Sequence, residues 1–298
     1  MNARTALLET PRGKVEYAVC GHGPAILALH GAMGGYDQGL LLARAAVGDS
    51  QFQVVAPSRP GYLGTPLGVG RSPEEQADAC AAVLDVAGIG AAAVIAISGG
   101  GQCALQFALR HSDRCRALVM ISACSAPLHA TVPPIRFQIF KLAARVPVIA
   151  NLMRSKAIRD PDAAARRSIP DPAVRARTLN DPEAGPLMAA LQQSTFEHMA
   201  KRLPGTQNDI LQSRSPFAYP VERITAPVLV VHGTGDEAVP VAHARALAAT
   251  VPNGQLLLLE GGRHTSLFTH LHEIRPRVIP FLTQLCTGQL APCNTIAQ

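Results

Sequence analysis

Short, unbroken apolar runs separated by helix-like stretches constrain this chain more than any other feature. Ala25–Leu29, Phe52–Ala56, Ala92–Ile97, Ala117–Ile121, Val228–Val231 and Gln255–Leu259 form the series. A strand with one wet face alternates apolar and polar residues, whereas an unbroken run marks a strand covered on both faces. Helices between such strands make the sheet mostly parallel. The expected class is therefore α/β. Thr5–Glu9 and Val15–Val19, joined at Pro11–Arg12–Gly13, add a hairpin before the series.

Helix signals fall between the runs. Ser72–Pro73–Glu74–Glu75 offers an N-cap serine, a proline at the first helical position and acids in the first turn. That helix is expected to stop near Gly88, with others over Gln102–Arg110 and His243–Thr250. From about 125 to 215 the rhythm breaks, with many prolines and no convincing strand. Short helices between prolines fit, for example Ile135–Ala144 and Leu187–Lys201. Some ninety residues are too long for an ordinary loop. The expected organisation is a core of 1–124 and 216–298 with a helical cap, 125–215, inserted over the sheet's edge.

A chain of 298 residues, 48% hydrophobic, can bury a sizeable core. Its longest apolar runs are too short to cross a bilayer, so no stable membrane insertion is expected. The N-terminal MNARTALLETPRGK lacks the apolar core of a signal peptide, which leads to a cytoplasmic expectation. Seven widely spaced cysteines without a CxxC argue against a disulfide framework or a zinc site. The net charge is +6, and residues 124–219, with 13 Lys/Arg against 7 Asp/Glu, hold the whole excess. That span mixes signs and carries few aromatics, so it reads as a solvated basic face rather than a nucleic-acid surface. The lesser reading is a field attracting anionic substrates or an acidic membrane.

Ser98 interrupts the AVIAISGGGQC stretch between a strand and a helix. In an open α/β sheet, ligands sit beyond the carboxyl ends of the strands, where Ser98, His30, Asp236 and His264 all fall. Gly99, Gly101 and Ala104 satisfy a dinucleotide pattern, but it does not follow the first strand and no carboxylate ends the next one. A serine on a strand-to-helix turn with small residues two places either side, here Ala96 and Gly100, is instead a nucleophile elbow. A serine hydroxyl needs a base, and the base needs an orienting acid. Asp236 and His264 follow later strands in the order serine, acid, histidine.

The stretches HGAMGG, SRPGY, AISGGG, HGTGDEAVP and GGRH together resemble an α/β-hydrolase-fold enzyme across nearly the full chain. The resemblance implies an α/β-hydrolase fold with a mostly parallel eight-stranded sheet and a cap after the sixth strand. It implies oxyanion amides at Ala32, or less fittingly Met33, and at Gly99, which follows the nucleophile. Ser98, Asp236 and His264 are the catalytic candidates, with Ala32 and Gly99 contacting substrate. Glu237 is the rival acid, and His270 and His272, expected on the following helix, are the rival bases. His30 is expected to brace its loop, His198 and His232 to be structural, and Arg59 either to hold a loop or to meet a substrate carboxylate.

The expected chemistry is hydrolysis of a small-molecule carboxylic ester through an acyl-enzyme, with no cofactor, metal or nucleic acid. Ile135, Phe137, Ile139, Phe140, Leu142, Val146 and Val148 suggest an apolar cap pocket. Carbon–carbon bond hydrolysis of ring-cleavage products, lactone hydrolysis and cofactor-free perhydrolysis would use the same three residues. A non-catalytic binding protein of this fold is the alternative from another class. The oligomeric state is open, a dimer included.

Overall fold

The computed structural model describes residues 3–49, 51–128, 142, 146–215 and 217–286. Eight strands form one sheet: β1 (Arg4–Thr10), β2 (Gly13–Cys20), β3 (Ala25–Leu29), β4 (Gln53–Pro57), β5 (Ala92–Ile97), β6 (Cys115–Ile121), β7 (Val228–Gly233) and β8 (Gly254–Leu259). Their spatial order is β1-β2-β4-β3-β5-β6-β7-β8. β1 and β2 form the expected hairpin, β2 joins β4 antiparallel, and every later pairing is parallel.

Alternation of side chains along each inner strand feeds two cores. On β5, Ala92, Val94 and Ala96 join the core that includes Leu84 and Phe107, while Ala93 and Ile95 join the core that includes Ile274 and Leu282. Both faces are covered, which is why these strands read as unbroken apolar runs. Helices α2 (Pro73–Val86) and α3 (Gly101–Arg110) supply one layer; α1 (Tyr36–Val47) and the C-terminal helix supply the other.

The N-terminus of α2 forms as its sequence dictates. Ser72 Oγ accepts from the Glu75 amide at 3.2 Å, and the Glu75 carboxylate accepts from the Ser72 amide at 3.1 Å. Such a reciprocal cap is worth about 1 kcal/mol.

Between β6 and β7 the described residues are helical and contain no strand. The helices are α4 (Pro147–Arg159), α5 (Pro161–Ala165), α6 (Pro172–Asn180), α7 (Ala184–Phe196) and α8 (Met199–Arg214). Prolines open the first three, where a missing N–H costs nothing. Asp160 and Asp171 cap α5 and α6 through their carboxylates.

The expected helix over Leu187–Lys201 is in fact two. The chain breaks at His198, whose φ of +51° is left-handed, and Arg202 Nε donates to the freed Glu197 carbonyl at 2.8 Å. Arg202 also pairs with Asp37 at the start of α1, so a tertiary contact fixes the break. The expected helix over Ile135–Ala144 lies outside the described residues, Leu142 apart. After β7 come α9 (Val241–Thr250), α10 (Ser266–Thr269) and α11 (Leu271–Cys286). Among the described residues no helix is long and apolar enough to cross a membrane.

Candidate active site

β3, β5, β7 and β8 run parallel and finish on one edge, so the loops leaving them share that edge. Ser98 follows β5 directly with φ +51°, a left-handed conformation that costs a non-glycine residue about 1–3 kcal/mol. Its surroundings impose it. The Cys124 amide donates to the Ser98 carbonyl at 2.9 Å. A Cβ on Gly100 would lie 2.7 Å from the carbonyl oxygens of both Leu29 and His30. Position 100 therefore has no room for a side chain, and α3 packs directly under β3.

The loops after β7 and β8 bind each other. Gly235 N–H donates to the Gly262 carbonyl at 2.9 Å, and Gly261 N–H to Thr234 Oγ1 at 2.9 Å. This presents His264 to the serine: its Nε2 lies 3.0 Å from Ser98 Oγ, and its Nδ1 lies 2.9 Å from Asp236 Oδ2. In the tautomer whose Nδ1–H donates to the carboxylate, Nε2 is placed to accept from the Ser98 hydroxyl.

Asp236 does two jobs. Its Oδ1 closes a turn by accepting from the amides of Ala238 and Val239 at 2.9 and 3.0 Å, while Oδ2 faces His264. Burial alone would raise its pKa, but the bonds to His264, Val239 and Ala238 outweigh that and hold the carboxyl below the usual range. His232 lies behind it, donating Nε2–H to the Val239 carbonyl at 2.9 Å, 3.5 Å from Asp236 Oδ2. Burial lowers the His232 pKa, which keeps that ring neutral.

The rivals face elsewhere. Glu237 is exposed and pairs with Arg263. His270 precedes α11 instead of lying on it and bonds Thr269 Oγ1, whereas His272, on the helix, pairs with Asp181. His198 is exposed at the break between α7 and α8.

Gly99 lies in the first turn after the serine, where an amide has no intrahelical acceptor. The Ala32 nitrogen is 3.5 Å from the place a Cβ on Gly99 would take, so the two loops are adjacent. Met33 is different: its N–H donates to Thr206 Oγ1 on α8 at 2.9 Å.

His30 braces the loop as expected. Its Nδ1 bonds the Gly31 carbonyl at 2.7 Å and its Nε2 accepts from the Arg59 amide at 3.0 Å. Burial and the Arg59 charge push its pKa well below the ordinary value, so it is neutral. Of the two readings of Arg59, the loop-holding one is observed. It is fully buried and its guanidinium pairs with Asp209 of α8, a carboxylate of the protein and not of a substrate.

Asp209 and Thr206 carry no mark in the sequence. Asp209 is the only carboxylate between Glu197 and Glu222, but nothing near it signals a partner 150 positions away. Of the residues expected to line an apolar cap pocket, Ile135, Phe137, Ile139 and Phe140 lie outside the described residues, and Leu142, Val146 and Val148 are exposed. Met33, Met153 and Phe196 pack against buried Met199 and Leu203.

An open α/β sheet bearing a hydrogen-bonded serine, histidine and aspartate at its carboxyl edge defines a class of hydrolytic enzymes. The chain belongs to the alpha/beta hydrolase fold family, whose profile matches residues 24–271. It is 27% identical over 274 residues to the uncharacterized hydrolase YcgS of Bacillus subtilis (strain 168), covering 89% of this chain and 93% of that one. It is 24% identical over 268 residues to a 2-hydroxymuconate semialdehyde hydrolase of Pseudomonas putida, covering 89% of each. An alpha/beta hydrolase fold protein from Nakamurella multipartita superposes with a TM-score of 0.77 at 31% identity, covering 96% of this chain and all of that one.

Proposed function

We propose that the chain is a serine hydrolase cleaving a small-molecule carboxylic ester. The observation that carries this is the Asp236–His264–Ser98 chain, with contacts of 2.9 and 3.0 Å. Ser98 Oγ attacks the ester carbonyl carbon as its proton passes to His264 Nε2, and the carbonyl π electrons move to oxygen. The amides of Ala32 and Gly99 hold that oxyanion; the engagement of Met33 N–H by Thr206 supports Ala32 over Met33. The C–O bond then breaks and the alkoxide takes the proton from His264. Water, activated by the same imidazole, releases the acid from the acyl-enzyme. Asp236 fixes the imidazole tautomer and stabilises its charged form.

In this reading the helices of 125–215 act as a cap on a core of 1–124 and 216–298. The enzyme works in the cytoplasm on a small-molecule ester.

The test is Ser98→Ala. The wild type is labelled by a fluorophosphonate and hydrolyses p-nitrophenyl esters, whereas the variant folds and does neither. Turnover retained by the variant sinks the reading. A second reading, carbon–carbon hydrolysis of a ring-cleavage product, is favoured by the similarity to the Pseudomonas putida hydrolase. Comparing esters, lactones and a dienone ring-cleavage product as substrates separates the two.

A further inference from the structure

Helix α8 meets the core through a buried polar network. Asp209 Oδ1 accepts from Arg59 Nη1 at 2.9 Å, and Oδ2 accepts from Arg59 Nη2 at 2.5 Å and from the Tyr62 hydroxyl at 2.7 Å. Arg59 in turn donates from Nε to the His30 carbonyl at 2.9 Å and from Nη1 to Gln76 at 3.0 Å. Burial disfavours the Arg59 charge, but the Asp209 carboxylate more than restores it.

The other face of Asp209 touches the elbow. Its Oδ2 lies 2.9 Å from the position a Cβ on Gly99 would occupy. A carboxylate from the insertion thus fills the space of the side chain that residue 99 lacks. It lies beside an amide that, in the reading above, faces developing negative charge. Unpaired, it would oppose that charge; paired with Arg59, it does not.

We propose that Asp209 is a positioning residue for acyl transfer: it occupies the side-chain space at residue 99 and, through Arg59, fixes the His30–Ala32 loop that carries the second oxyanion amide. This rests on the serine-hydrolase reading. The insertion thereby supplies part of the alignment of the oxyanion site.

The experiment compares Asp209→Asn and Tyr62→Phe with Asp162→Asn, which breaks a pair with buried Arg175 elsewhere in the insertion. kcat and KM are measured with p-nitrophenyl butyrate, alongside the inhibition constant of a trifluoromethyl ketone, whose serine adduct carries an oxyanion. Removing an oxyanion donor outright costs roughly 10²–10³ in turnover, so a displaced donor should cost less. Asp209→Asn is expected to lower kcat about tenfold with KM little changed, and to weaken the ketone by a similar factor. Tyr62→Phe, which leaves the Arg59–Asp209 pair in place, moves both the same way by less. Asp162→Asn lowers the melting temperature and leaves both within twofold. Should Asp209→Asn and Tyr62→Phe match the Asp162 control in kcat and ketone affinity, or change KM alone, the proposal is overturned. Failure of the underlying reading looks different: the wild type itself is then not labelled by a fluorophosphonate.

Discussion

Met33 gives its backbone N–H to the Thr206 hydroxyl, 2.9 Å away and 173 positions later in the chain. That one bond ties the loop after β3 to the insertion and occupies one of that loop's two candidate oxyanion amides, those of Ala32 and Met33. Thr206→Val removes this part-buried acceptor and the hydroxyl's own bond to the Arg202 carbonyl, which together cost about 1–2 kcal/mol. Urea unfolding should show that loss. A variant as stable as the wild type would mean that the bond is not formed in solution.

Asp236→Asn tests the orientation of the imidazole. The amide keeps a similar shape and an oxygen for the Ala238 and Val239 turn, but its NH₂ group then faces His264 and favours the wrong tautomer. By the known behaviour of such triads, turnover should fall on the order of 10⁴-fold with the fold retained. Steady-state kinetics with an activated ester measures this, and a fall of only a few-fold would remove Asp236 from the orienting role.

Three histidines set the response to mild acid. Burial is the largest cause lowering the pKa of His30, His232 and His243 in the folded chain. Unfolded imidazoles titrate at about 6.5. Below that value the unfolded chain binds protons that the folded chain resists, so stability is full above it and falls as pH drops toward the depressed folded values. Each histidine contributes a slope of up to about 1.4 kcal/mol per pH unit in that window. Urea midpoints between pH 7.5 and 5 should fall accordingly. His243→Asn, which can still accept from the Ser125 and Ala126 amides, should remove one proton's share. A pH-independent midpoint contradicts this account.

Gly100→Ala adds a methyl where two carbonyl oxygens lie 2.7 Å away. Backbone cannot yield as a side-chain tip does, so the expected cost is about 1–3 kcal/mol together with misplacement of Ser98. Gly90→Ala is the control, since nothing lies within 4 Å of a Cβ there. It should change stability by less than about 0.5 kcal/mol. Equal melting temperatures for the two variants would refute the steric argument.

What the sequence discloses follows from how local each cause is. The inner strands are legible because both faces are covered, which forces unbroken apolar runs. The start of α2 is legible because Ser72, Pro73 and Glu75 carry its whole cap. Ser98, Asp236 and His264 are legible as an ordered set at strand ends. Helix α1 carries no such mark: its N-cap is Gly35, with no side chain to offer, and it ends at another glycine. The break at His198 depends on Arg202 reaching Glu197 and Asp37, and Asp209 depends on Arg59. Those contacts exist only once the insertion lies against the core.

The hydrogen bond from His264 to Ser98 spans 166 positions of chain. Its histidine hangs from the outermost strand of the sheet, β8, which pairs only with β7. On the proposed serine-hydrolase reading, a nascent polypeptide that has already made its elbow therefore has no base for Ser98 while it is still being synthesised. Reactivity would then switch on with the docking of the final strand, and the regain of fluorophosphonate labelling during refolding would be a clock for completion of the sheet.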